Sequence, residues 1–149
     1  MTEARKANEN DVQSLVQMYK DFFPTHNIFS DERYSQDYLK ENIDEFIVMT
    51  YADDVIGALR IVKKKETADH YQIKFKHIAA KNKDEEVMAQ LVAAAEEIAA
   101  PGKIELHIAE SEEPNRLFFE KLGYLLEGTL NDHYRKGEKC YILGKYIGE

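Results

Sequence analysis

The run Tyr71-Gln72-Ile73-Lys74-Phe75-Lys76-His77-Ile78 alternates apolar and polar side chains, as a strand with one buried face does. After it, Val87, Met88, Leu91, Val92, Ala95, Ile98 and Ala99 fall on a single helical stripe, from near Asp84 to about Ala100, and Pro101-Gly102 ends it. Ile104, Leu106 and Ile108 then alternate with Glu105 and His107, which is strand again. A strand, a helix and a second strand at this spacing require the two strands to run parallel if they share a sheet.

Working outward, the preceding sequence holds Phe46 to Tyr51 and Val55 to Val62, two β-rich runs joined by Ala52-Asp53-Asp54 as a hairpin. Gly57 inside the second run signals a bulge or a close backbone approach. Further upstream, Glu3 to Ala7 reads as a short strand, and Asn8 to Asp11 as a cluster able to cap a helix bearing Val12, Leu15, Val16, Tyr19 and Phe22. Pro24 ends that helix. Thr25 to Ser30 reads as a mobile loop, and Asp31-Glu32 opens a second helix carrying Tyr34, Tyr38 and Leu39. Downstream, Ser111 is the expected cap of a helix with Pro114 in its first turn and Leu117, Phe118 and Leu122 on its apolar side; Gly123 stops it. Strands around Tyr124 to Glu127 and Cys140 to Tyr146 close the chain. Strands that alternate with helices in this order predict an α/β fold with a mixed central sheet flanked by helices.

Composition narrows the function classes. At 149 residues the chain is of a size for one domain, here expected to span residues 1–149. Its 28 acidic and 20 basic residues give a formal charge of −8 with the cations dispersed, so a nucleic-acid partner is not expected. Acidity favours cationic or amine-bearing ligands. No apolar run has the length of a membrane span, the first residues are polar, and a cytoplasmic location is expected. Cys140 is the single cysteine, which excludes an internal disulfide and a cysteine-cluster zinc site. His26, His70, His77, His107 and His133 show no ligand spacing such as H-x-x-x-H, so the linear pattern predicts no metal.

The hairpin strand Val55-Ile56-Gly57-Ala58-Leu59-Arg60 and the closing Phe118-Phe119-Glu120-Lys121-Leu122-Gly123-Tyr124, set around the central strand-helix-strand unit, resemble the GNAT superfamily of acyl-CoA-dependent N-acyltransferases over nearly the whole chain. The resemblance implies acetyl-CoA or another acyl-CoA as cosubstrate and an amine as acceptor. It places the pantetheine arm beside Ile78 to Ala80 and the pyrophosphate near Lys83, Asp84, Val87 and Met88, with Asn115 and Phe119 lining the site from the late helix. The family's basic position before its glycine-rich loop falls on Lys83, and Asp84, Glu86 and Met88 fill the three glycine places. Asn82 and Glu85 have the spacing of a capping box. Phe119 stands where many members carry a tyrosine taken as the acid for the departing thiolate, and Glu112 where an asparagine is frequent.

Among titratable residues, His77 is the candidate catalytic base, against the plainer reading of a hydrogen-bonded structural histidine. Glu105 and His107 share a strand face and read as an ion pair or a solvated face. Tyr34 and Tyr38, one turn apart, read as core packing or a homodimer contact, with substrate contact second; Cys140 reads as a small buried residue. Two functions stay open at this point: an N-acyltransferase, and a GNAT-fold binding or regulatory module that has lost ordinary acyl-CoA chemistry.

Overall fold

The computed structural model describes residues 2–148; Met1 and Glu149, the ends of the expected single domain, lie outside the described residues. In chain order the elements are β1 (Thr2–Lys6), α1 (Val12–Phe22), α2 (Glu32–Asn42), β2 (Phe46–Tyr51), β3 (Asp54–Glu66), β4 (Tyr71–Ala80), α3 (Glu85–Ala99), β5 (Gly102–Ala109), α4 (Glu113–Lys121), β6 (Leu125–Asn131) and β7 (Lys139–Ile147). The strands form one seven-stranded mixed sheet in the order β1-β2-β3-β4-β5-β7-β6, flanked by helices as the sequence predicts. β4 and β5 are parallel, with register from Tyr71 opposite Gly102 to Lys74 opposite Glu105. Among the described residues that ladder ends there, although β4 continues to Ala80 and β5 to Ala109.

The chain divides into two compact units, Met1–Ile61 with His77–Ala95, and Val62–Lys76 with Glu96–Glu149. In the first, the stripe of α1 buries Val12, Leu15, Val16 and Tyr19 in a core shared with Leu39, Phe46, Val48 and Ala58. The expected capping cluster Asn8 to Asp11 takes the form of a capping box between Asn8 and Asp11, in a 3-10 turn ahead of α1. Thr25 to Ser30 is better anchored than a mobile loop. Phe29 is fully buried and stacks on Tyr19 with ring centroids 4.4 Å apart, a contact worth about 0.5–1.5 kcal/mol beyond its burial.

Gly57 answers to a close approach. A Cβ built on it would lie 2.8 Å from Leu91 Cδ1, 2.8 Å from Val87 Cγ1 and 3.2 Å from the Ala79 carbonyl oxygen. Two apolar teeth of α3 therefore fill the space where β3 has no side chain.

In the second unit, Ile104, Leu106 and Ile108 are buried while Lys103, Glu105 and His107 alternate with them. Gly123, at φ 94°, follows α4 as the expected stop. The Lys145 ammonium donates to the Leu122 carbonyl at 2.8 Å and to Glu96 Oε2 at 3.1 Å, and the buried Tyr124 hydroxyl donates to that same carboxylate oxygen at 2.8 Å.

Several boundaries differ from the sequence reading, each for a local reason. β3 runs to Glu66 rather than Val62, because Lys63 to Glu66 keep extended backbone despite their charge. Ile98 and Leu117, assigned to apolar stripes, are exposed at the edges of α3 and α4. Ser111 lies in a 3-10 turn and its amide donates to Glu138 Oε2 at 3.2 Å, so α4 starts after Glu112 without a side-chain cap.

Candidate active site

His77 is the residue at which β4 enters the first unit, and its backbone is left-handed, with φ 58°. A non-glycine residue with this backbone inside a strand is uncommon, and such positions cluster at functional sites. Tyr19, buried on α1, donates its hydroxyl to the His77 carbonyl at 2.6 Å. Phe29 and His26 set their rings edge-on to the imidazole, with centroids 5.0 and 5.7 Å away.

The imidazole itself meets Tyr38 of α2, whose Oη lies 2.8 Å from His77 Nε2. That oxygen also accepts a short hydrogen bond from Arg60 Nη1. A phenol proton donated to Nε2 goes with an imidazole proton on Nδ1, and the opposite tautomer reverses the bond. Arg60 is fixed in turn by Glu45: its Nε and Nη2 lie 3.0 and 2.5 Å from Glu45 Oε1, and Nη2 reaches Asn42 Oδ1 at 3.1 Å. Asn42 donates back to the Tyr38 carbonyl at 2.8 Å. The result is a continuous chain, Glu45 to Arg60 to Tyr38 to His77. Burial raises the Tyr38 phenol above its ordinary value, outweighing the pull of Arg60, and burial pushes Tyr19 up further still.

A few residues on, β4 ends in a 3-10 turn over Lys81–Lys83, with Asn82 and Lys83 both left-handed at φ 59° and 53°. Asn82 does not cap α3. Asp84 does: its Oδ1 accepts from the amides of Glu86 at 3.0 Å and Val87 at 3.3 Å. These first-turn amides are the donors a helix offers to an anion, and here a carboxylate of the chain holds them. Lys81, Lys83 and Asp84 are exposed, whereas Ile78, Ala80, Val87 and Met88 are buried, Val87 against the bare face of Gly57. One segment of the first unit thus gathers His77 with Ile78, Ala80, Lys83, Asp84, Val87 and Met88. Asn115 and Phe119 belong to α4 in the second unit; Asn115 is half-buried, and Phe119 is buried edge-on to Phe118 and Tyr124 with no proton to give.

Sequence reasoning missed Tyr19, Glu45 and Arg60. Only Arg60 carried a signal, as the lone charge inside the apolar run Val55 to Val62.

A mixed sheet in this strand order, with helix α3 opening directly after β4, defines a mixed α/β protein. A candidate acetyltransferase of the GNAT family from Desulfovibrio desulfuricans superposes with TM-score 0.80 at 17% identity over 99% of each chain. An aminoglycoside 6'-acetyltransferase type Ii does so with TM-score 0.78 at 18% identity over 97% of each. The Arabidopsis thaliana protein NAA60, in complex with a bisubstrate analogue, matches with TM-score 0.74 at 14% identity over 99% of this chain and 98% of its own. The chain belongs to the acetyltransferase (GNAT) family, whose model matches residues 12–124. No curated protein sequence matches it. Among the described residues, no helix is long and apolar enough to cross a membrane.

Proposed function

We propose that the protein is an N-acyltransferase that moves an acetyl or related acyl group from acyl-CoA to an amine, with His77 as the final proton acceptor. The observation that carries this reading is the Glu45–Arg60–Tyr38–His77 chain, ending on a strained strand position. As the amine nitrogen attacks the thioester carbon, it sheds a proton to Tyr38 Oη while Tyr38 passes its own to His77 Nε2. The carbon–sulfur bond breaks and the pair of electrons leaves with the thiolate. A thiolate is a tolerable leaving group in water, so Phe119 in place of an ionisable residue need not stop the reaction. The acidic balance of the chain supports a cationic or amine-bearing acceptor. The family match runs through both compact units, which supports treating them as one acyltransferase domain.

The start of α3 fits the cosubstrate's pyrophosphate in its exposed cations, Lys81 and Lys83, and does not fit it in its amides while Asp84 holds them. That occupied cap favours a second reading, a GNAT-fold module that binds or regulates without acyl transfer. The test is calorimetric titration of acetyl-CoA into the parent and into an Asp84→Gly, Glu86→Gly double variant, with thiol release measured alongside. Tighter binding in the variant, with thiol release that needs His77, supports the acyltransferase. Unchanged, absent binding in both, with only a lower Tm in the variant, overturns it in favour of the module.

A further inference from the structure

His107, His133 and Cys140 stand far apart in sequence, yet in the second unit one ring nitrogen of each histidine and the cysteine sulfur all lie within 4.8 Å of one another. The β-ladder explains the juxtaposition. On β7, Cys140 is paired with Ala109 of β5, and Ile142 with His107, so His107 and Cys140 share a sheet face two positions apart. Ala109, the residue directly opposite Cys140, is too small to fill the space between them. The turn after β6 brings His133 over the same place, its ring 5.6 Å from that of His107. Cys140 is fully buried, His107 half-buried and His133 exposed, so the cluster runs from the interior to the surface.

We infer that these three side chains form a divalent metal site of the zinc class, with two imidazoles and one thiolate as ligands and a fourth position for water. Tetrahedral zinc at ordinary bond lengths separates its ligand atoms by roughly 3.4–3.7 Å. The cluster therefore has to contract by about an ångström, a movement the exposed His133 can supply. Glu105 completes the outer arrangement: its Oε2 lies 3.0 Å from His107 Nε2 and 3.7 Å from the Lys64 ammonium. A carboxylate on one ring nitrogen fixes the proton there and leaves the other nitrogen's lone pair for the metal. That nitrogen, Nδ1, now faces the Lys74 ammonium at 3.5 Å. Lys74 and the metal are alternative cations at one imidazole, so Lys74 sets the affinity of the site. The linear spacing of the histidines gave no sign of this, because two of the three ligands meet only through the pairing of β5 with β7.

Cobalt(II) makes the test specific. The chain has one cysteine, so a thiolate-to-cobalt charge-transfer band can arise only from Cys140. The full chain, titrated with Co²⁺ and back-titrated with Zn²⁺, is expected to develop that band to one equivalent and lose it as zinc displaces cobalt. Cys140→Ser should abolish the band. His133→Ala, an exposed change that leaves the fold untouched, should weaken binding at least about 10-fold, and Lys74→Met should tighten it. A chain that shows no thiolate band, or one whose metal affinity is the same in the parent and in His133→Ala, overturns the inference. None of these readouts depends on acyl transfer.

Discussion

His77 and His107 make an instructive pair. Both stand on strands of one sheet, and each has a polar partner on its Nε2, at 2.8 Å for Tyr38 and 3.0 Å for Glu105. The backbones differ: His107 keeps the regular alternation of β5, whereas His77 is left-handed. Their partners differ in sequence distance as well. Glu105 lies two residues away on the same strand, and Tyr38 lies on another element, held by Arg60 and Glu45. A regular strand produces a pair that any alternating sequence can make. A distorted one, pinned by several elements at once, is maintained against its own backbone preference, and for that reason we propose the chemical task for His77 and not for His107.

The sharpest way to break the comparison is catalytic. His77→Ala is expected to lower acetyl-CoA-dependent thiol release by about 10²- to 10⁴-fold, the range for a lost general base, while His107→Ala changes it by less than about 10-fold. Steady-state rates of both variants, with Tm as a control for folding, decide the matter; equal losses would erase the distinction.

Next comes support by partners. Arg60 is largely enclosed, with 13% of its side chain exposed. Arg60→Met removes hydrogen bonds to Glu45, Asn42 and Tyr38, and should destabilise by about 1–3 kcal/mol. Glu105→Gln, which keeps an acceptor oxygen for His107, should stay below about 1 kcal/mol. Denaturant midpoints at constant m-value measure both.

A smaller effect separates the backbones themselves. At position 77, glycine should be more stable than alanine by about 1 kcal/mol, because only glycine accepts positive φ without a Cβ penalty. At position 107 the order should reverse by about 0.5–1 kcal/mol. Four Tm values suffice, and the same order at both sites would remove the argument from strain.

The smallest effect is in pH. Partial burial, and after it the Lys74 ammonium, hold His107 below the ordinary imidazole value of 6.5, despite Glu105. From 6.5 downward the unfolded chain therefore binds a proton that the folded chain refuses, so stability falls as pH drops until the folded value is passed. His107→Asn should flatten this part of the stability curve. Glu105 acts lower: burial pushes it up, but His107, Lys64 and Lys74 outweigh that and hold it below its ordinary 4.5. Its contribution is complete above 4.5 and lost as pH falls toward the folded value.

The same contrast explains what the sequence disclosed. The apolar alternation of β5, the stripe of α3 and the punctuation by Pro101 and Gly123 are short-range signals, and they were enough for the order of elements along the chain and the family resemblance. Glu105 and His107 were also legible as a pair, since period two puts them on one face. Tyr38 was legible as a possible contact and Arg60 as a lone charge in an apolar run, but the chain from Glu45 through both to His77 was not, because its members meet only through tertiary contact. The acidic start of α3 was half legible. Its carboxylates were plain, but the left-handed turn at Asn82 and Lys83 moves the cap from Asn82 to Asp84.

Gly57 carries a mechanical consequence. The two side chains that occupy its empty face, Val87 and Leu91, sit one turn apart in the first half of α3, and Val87 is also the residue whose amide Asp84 holds. The height of the helix start above β3 is thus gauged by a missing methyl group. A Gly57→Ala chain would have to lift that end of the helix, acting as a shim under a lever, and would shift the amide donors together with the carboxylate that caps them. A substitution on β3 can therefore move the amide donors at the helix tip while leaving every residue there unchanged.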